Sequence, residues 1–485
     1  MKLRWILVAL LGLLGAACGN SSSDTTPLPP PVSDTSHVVA AGAITGFGSV
    51  ILNGIEFDSA AATVRMDDKP GTVADLRVGM VVSIGGTKDA RTGIARASSV
   101  TFADDAEGPI SSIDREAGRM VVLGRTFLVD ALTVFDGVSF EDLAAGNVVQ
   151  VSGMWRSQER IQATHVHRVA HAYAAGMPLE VKGVINGLHA GNQRFNIGTQ
   201  ACDYSAAALE LAGADLANGM YVEASSTKPL AGDLMLLNRV QSRDQHRYRH
   251  QLCAGDCDFD LVGYVTTFVS PTEFTVDGQP VTTTPDTVYT RGTVDTLALD
   301  VKVSIRGALD EAGVLVAEEI VFHLPSLIEI AGDVEALDSE NQAVVVLGIT
   351  VATNELTLFR DPTATGPARQ FGFDDLAAGD RIHVRAVLDA GTVVASRLER
   401  EPPDADVILK ALVESVDRPS ITLLGVTATS DANTIFQNTA HVEINADTFF
   451  SLVEPGRIVR VEGLYDGASI TASKMFLRDC INTCF

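Results

Sequence analysis

LAAGNVVQVSG, residues 143–153, is the stretch on which the fold of this chain turns. Leu143 stands three residues before Gly146, and after the glycine Val149 and Val151 alternate with Gln150, the pattern of a tight turn feeding a half-buried strand. Five more copies share the plan: LRVGMVVSIGG at 76–86, LANGMYVEASS at 216–226, LALDVKVSIRG at 297–307, LAAGDRIHVRA at 376–386 and, one residue longer, LVEPGRIVRVEG at 452–463. Asp300 replaces the turn glycine in the copy at 297–307. Aspartate tolerates a left-handed backbone better than most residues, so the turn is expected to survive there at some cost.

Aligning the chain on this phrase gives six units, at 42–102, 108–169, 183–241, 263–322, 332–399 and 409–477, each expected to hold about five strands. Hairpin glycines recur at Gly54, Gly124, Gly198, Gly278, Gly348 and Gly425. A threonine two residues before an aromatic recurs at Thr133, Thr287, Thr357 and Thr434, and closing strands with an internal alanine end the units. Residues 140–143 read as a single helical turn, and no unit carries an amphipathic helix of ordinary length. The expected class is all-β, a tandem of small β-barrels (OB-like) or sandwiches, since a unit of this size must limit its exposed edges. A continuous solenoid with strands pairing across units is the alternative. Apolar residues at 46% supply enough material for the cores.

The run GAITGFGSV at 42–50, then Asn53-Gly54, then Leu76, Gly79 and Val82, resembles the opening of the bacterial family catalogued as domain of unknown function 5666. The second unit continues the likeness through Gly108-Pro109-Ile110, Leu123-Gly124, residues 133–137 and Leu143, Gly146 and Val149. The first two units match well, the fifth and sixth in part, and the third and fourth diverge. The resemblance implies a secreted or lipid-anchored β-domain in tandem; it implies no activity and supplies no catalytic residues.

Residues 1–18 stand apart. Lys2 and Arg4 precede an apolar run at 5–14, and Gly15-Ala16-Ala17 leads into Cys18, the layout of an export signal too short to be a membrane span. The layout resembles a bacterial lipoprotein signal, which implies lipidation of Cys18, although Gly15 stands where that family usually has leucine. The alternative is an ordinary cleaved signal. By the same resemblance Gly19, in place of an aspartate, implies the outer membrane, with the body facing periplasm or surface. Residues 19–40, rich in Ser, Thr, Asp and Pro at their start, are expected to form a flexible tether. Removal of Lys2 and Arg4 with the signal leaves 34 basic residues against 61 acidic, a formal charge of −27. So acidic a chain repels phosphate backbones, and nucleic acid is excluded as an expected partner.

The remaining cysteines lie in a compartment that permits disulfides. Cys253 and Cys257, and Cys480 and Cys484 in the tail at 478–485, share a three-residue spacer and are expected to pair locally; crossed pairing such as Cys202 with Cys253 stays open. Under local pairing Cys202 is a free, buried thiol. The Cys/His insert at 243–260 also offers His246, His250, Cys253 and Cys257 at spacings that suit a zinc tetrahedron, set against the arginines among them and the oxidation that export favours. The Asp256, Asp258, Asp260 alternation lacks the glycine and glutamate of a calcium loop. His165, His167 and His171 read either as a solvated strand face or as a surface metal site. No nucleophile elbow, zinc-protease helix or phosphate loop occurs. The expectation is an envelope-anchored lipoprotein of unknown activity, no enzyme and with no cofactor, a structural or interaction module whose partner is the membrane through its lipid and an envelope protein or polysaccharide. A metal-dependent envelope enzyme or hydrolase using the 243–260 insert is the alternative.

Overall fold

In all six phrases the turn residue takes a left-handed backbone, with φ +87° at Gly79, +89° at Gly146, +89° at Gly219, +70° at Asp300, +90° at Gly379 and +89° at Gly456. Each turn N–H donates to a carbonyl in the first strand of its own unit, that of Ile44, Ile110, Ile185, Val265, Val334 or Val413, at 2.8 or 2.9 Å. The hold is the same in every copy, so the computed structural model contains six units of one kind. It describes residues 35–47, 49–89, 91–115, 117–243, 257–362 and 371–478.

The second unit shows the plan. Its strands are Ala106–Asp114, Arg119–Val122, Arg125–Leu128, Val148–Trp155 and Arg160–Ala170. The first pairs antiparallel with the second, the second with the third, the third runs parallel to the fifth, the fifth lies antiparallel to the fourth, and the fourth returns antiparallel to the first. The circuit closes, in the strand order of an OB-like barrel, and no edge is left within the unit. In the third unit the fifth strand is split into Leu234–Leu236 and Arg239–Ser242, one half on each neighbour.

Two more repeated features of the sequence acquire a cause. The last residue of the phrase lies at a bulge opposite the closing-strand alanine: Gly86 faces Ala97, Gly153 faces Ala163, Gly307 faces Ala317, Ala386 faces Ala395 and Gly463 faces Ala472. A side chain added at Gly463 would collide with the carbonyl oxygen of Thr471 across the bulge. The recurrent threonines donate to the carbonyl of that same alanine: Thr133 to Ala163, Thr287 to Ala317, Thr357 to Ala395 and Thr434 to Ala472, at 2.7 or 2.8 Å. Each hydroxyl thus satisfies a carbonyl beside the irregularity in the ladder.

The barrels close within units and, among the described residues, pair across them only through their first strands and two by two, so the chain is a set of barrels and not a continuous solenoid. Ala106–Asp114 runs antiparallel to Leu179–His189, joining the second and third barrels, and Ile328–Asp338 to Val407–Asp417, joining the fifth and sixth. The first barrel pairs with the fourth: Thr35–Phe47 runs parallel to Cys257–Ser270 from His37 opposite Cys257 to Ala41 opposite Leu261. Three sheets of 12, 13 and 12 strands result.

This pairing corrects the expected tether. Thr35–Phe47 begins inside the stretch at 19–40, because Val38 and Ala40 enter the core of the first barrel while Val39 and Ala41 enter that of the fourth. A strand buried on both faces reads as a continuous apolar run without alternation. For the same reason the insert at 243–260 ends early, its last four residues opening the strand Cys257–Ser270. The sixth phrase is likewise one residue shorter than it reads. Leu452 is 48% exposed, whereas Val453, three residues before Gly456, is buried and takes the place of Leu143. The short helix Ala446–Leu452 carries the extra leucine to the surface. The helical turn expected at 140–143 is a plain turn, and Val73–Asp75, Val294–Thr296 and Phe373–Asp375 hold the corresponding place as 3-10 turns.

Thr357→Val keeps the shape of the side chain but removes the bond to Ala395, and is expected to lower the unfolding free energy by about 1–2 kcal/mol in chemical denaturation. Asp300 accepts from Arg156 of the second barrel at two oxygens, 2.5 and 2.7 Å, with the guanidinium side chain 8% exposed. Asp300→Gly relieves the left-handed residue yet is expected to destabilise by about 2 kcal/mol, because two charge-assisted bonds are lost.

Candidate functional site

In a chain with 61 acidic residues, the buried cations mark where barrels meet. Lys182, on the first strand of the third barrel, extends into the junction with the first and second. Its ammonium lies 2.9 Å from Asp104 Oδ1, 3.2 Å from Asp67 Oδ1 and 2.5 Å from Glu180 Oε1, and it donates to the Asp104 carbonyl at 2.9 Å. The carboxylates of Asp67, Asp104 and Glu180 are close enough together to hold a metal ion. The lysine ammonium stands among them as their counter-cation, and although burial works against its charge, the four acids Asp104, Asp67, Glu180 and Glu223 hold its pKa well above the ordinary value. Glu223, 2% exposed, binds Arg239 at 2.7 Å and Arg243 at 2.7 Å. Next to this group, burial and then the charges of Glu180 and Asp67 push the Glu107 carboxyl up to about 7.

The second and fourth barrels meet at Trp155 and Arg156. The Trp155 backbone N–H donates to Asp277 at 2.6 Å, its indole to Asp105 at 3.1 Å, and the Arg156 guanidinium lies 4.9 Å from the centre of the Tyr264 ring.

Between the second and fifth barrels lies an open cleft of about 270 Å³. The second barrel contributes the stretch after its third strand, with Asp130, Phe135, Ser139 and Phe140; the fifth contributes Arg360, His383, Arg385, Arg397 and Glu399. Residues 383, 385, 397 and 399 alternate along the paired strands Arg381–Asp389 and Thr392–Arg400, which brings their side chains to one face. Arg397 donates to the carbonyls of Ala131 at 2.8 Å and Thr133 at 3.1 Å, and Arg360 to that of Phe135 at 2.6 Å, so two guanidinia fasten one barrel to the other. Glu399 divides its two oxygens between Arg360 and Arg397. Glu329 serves Arg385, Arg460 and His383 together. Burial opposes ionisation of Glu329, yet the bond from His383 and the two arginines hold it well below the usual carboxylate range. Burial likewise opposes the charge on His383, but its bonds to Glu329 and Glu401 raise its pKa. The rings of Phe135 and Phe140, 5.8 Å between centres, form the apolar part of the wall.

None of these groups was singled out in the sequence, because their partners stand well apart in it, Lys182 from Asp104 by 78 residues and Arg397 from Ala131 by 266, and no local pattern marks them. Of the residues that were singled out, Cys18, His246, His250, Cys253, Cys480 and Cys484 lie outside the described residues. Cys257 opens a strand and is buried. Cys202 is a buried free thiol, and burial pushes its pKa up to about 12. The histidine cluster separates. His165 is 1% exposed, kept neutral by burial with a pKa near 3, and its Nε2 has no hydrogen-bond partner; His167 faces Asp136 at 3.6 Å from a half-exposed position. Thus the solvated-face reading fails at His165, which is buried on a strand that pairs with the piece Val134–Asp136. Asp260 is buried, with its carboxyl raised to about 6 by that burial, and Asp258 accepts from Ser36 at 3.0 Å.

The family described as Domain of unknown function (DUF5666) matches residues 38–101, 107–167, 262–321, 331–399 and 410–475. The chain belongs to this family. Its fourth unit, which reads as diverged, is among the matches, whereas the third is matched only in its barrel and its Gly219 turn, not in its sequence. No curated protein matches the chain. Among solved structures it is similar to Drosophila Unr CSD456, at 12% identity over 44% of this chain and 98% of that one, with a TM-score of 0.15, too slight a likeness to bear on fold or function.

The raised Glu107 carboxyl gives a pH dependence of definite sign. Its folded pKa of about 7 exceeds the ordinary 4.5, so the folded state binds the extra proton between these values and loses stability as pH rises through that window. Glu107→Gln is expected to flatten the denaturation midpoint against pH from about 4.5 to about 7 and to raise it above the parent's at pH 8.

Proposed function

We propose that this DUF5666 protein is a lipid-anchored component of a bacterial cell envelope whose six barrels work as one binding body, with no catalysis of its own. The observation that carries the reading is how the buried charges are used. Lys182, Arg156 and Arg397 each fasten one barrel to another, and their acids are engaged in the same joints. A catalytic site needs a nucleophile, acid or base turned toward a substrate, with its pKa tuned for proton transfer. The cleft between the second and fifth barrels instead presents arginines and phenyl rings, which are recognition groups.

The basic start, apolar run and Cys18 support the anchor, and the stretch before Thr35 supplies the length to hold the barrels away from the lipid. Among the described residues no helix is long and apolar enough to cross a membrane. The net charge of −25 argues against nucleic acid as partner and favours an envelope protein or a polysaccharide.

Fractionation of cells expressing the parent and Cys18→Ala tests the anchor. The parent is expected to sediment with membranes and the variant to appear in the soluble fraction; a variant that still sediments would refute the lipid anchor. Crosslinking and capture from intact envelopes with the parent as bait is expected to return one envelope component.

A further inference from the structure

The cleft between the second and fifth barrels leaves one guanidinium with donors to spare. Three arginines and a histidine line it against Asp130 and Glu399. Asp130 is turned onto its own backbone, accepting from the N–H groups of Leu132 at 2.8 Å and Thr133 at 3.1 Å. Glu399 is shared by two arginines, and the one carboxylate paired with Arg385, that of Glu329, also serves Arg460 and His383, which have Glu462 and Glu401 as further partners. Arg360 and Arg397 are occupied with the carbonyls of the facing barrel. Arg385 has no such duty, and its side chain is 22% exposed at the cleft. A guanidinium presents several donors in a planar fork, and one contact to Glu329 uses only part of it. The opposite wall, with Phe135, Val138 and Phe140, offers apolar surface and ring faces.

We propose that this cleft binds a small ligand carrying one carboxylate and a flat apolar side, with the carboxylate on Arg385 and the apolar side on Phe135 and Phe140. The inference deepens the binding-body reading and rests on it. One carboxylate matches the unused donors of Arg385, and a second negative charge would meet Glu399 and Glu329. A volume of about 270 Å³ admits a single ring with its substituents and little more. Aromatic rings accept the C–H face of a sugar or the face of another ring, so a uronic acid from an acidic polysaccharide and a free aromatic acid share the required chemistry. The site exists only where two barrels, non-adjacent in sequence, are brought together, so an isolated unit of this family does not contain it.

Titration calorimetry of the detergent-solubilised full chain at neutral pH, with sodium galacturonate, sodium benzoate and galactose as probes, tests the proposal and separates the two sources. One acid is expected to bind at one equivalent per chain and galactose not to bind. Binding by galacturonate identifies the sugar acid, and binding by benzoate the aromatic one. Arg385→Ala is expected to weaken binding about tenfold or more, Arg385→Lys to recover part of the loss, and Phe140→Ala to weaken binding with the Arg385 contact intact. Thermal unfolding of each variant confirms the fold, which Arg385→Ala leaves supported by the Arg460 and His383 contacts to Glu329. The proposal is overturned if neither acid binds, if galactose binds as well as galacturonate, or if folded Arg385 and Phe140 variants titrate like the parent. Those results leave membrane sedimentation and envelope capture untouched, whereas loss of both of these would remove the binding-body reading itself.

Discussion

Everything in this molecule depends on a hydrogen bond made six times, from the N–H of a left-handed turn residue to a carbonyl in the middle of its unit's first strand. A strand's side chains alternate between faces, so a slip of one residue would exchange its core and solvent sides. The turn bond forbids the slip, since only one register brings the fourth strand back beside the first. The bulge at the end of the phrase then bends that strand around the barrel, and the alanine opposite leaves room for the bend. Turn, bulge and alanine form a single device, which explains why they recur together while the residues between them drift.

Six barrels of one design present similar outer surfaces, and apolar contact alone discriminates poorly among them. Charge does it better. Of the six left-handed turn residues Asp300 alone is an acid, so Arg156 finds its two-oxygen bridge at the turn of the fourth barrel. Lys182 needs acids from the first barrel, the linker and the third barrel together. Burying a lone ammonium or guanidinium is costly, so a wrong pairing that leaves one uncompensated is penalised far more than a poor apolar fit.

The repeat was legible because its parts are local: a glycine with positive φ, an alternating strand, a turn dipeptide. Even so, local reading misplaced Leu452, since the sequence shows a leucine before the turn but not that a short helix rotates it outward and leaves Val453 to fill the core. Asp300 looked like a tolerated blemish, and its use as a partner of Arg156 became visible only with the second barrel beside it. The run from His37 to Ala40 read as tether because it shows no alternation, and its second buried face belongs to a strand more than 200 residues later. The arginine cleft was hidden for the same reason: its walls come from units two and five, and no pattern within one unit encodes a surface completed by another.

That early strand has a temporal side. A chain synthesised from its N-terminus presents Val39 and Ala41 long before Phe259 and Leu261 exist to cover them. The second and third barrels can mature as neighbours in the meantime, but the first must wait with one flank bare until the middle of the polypeptide emerges. Its completion therefore requires that more than half of the chain has arrived, and a product cut short before that point leaves the edge of that early strand without its parallel partner.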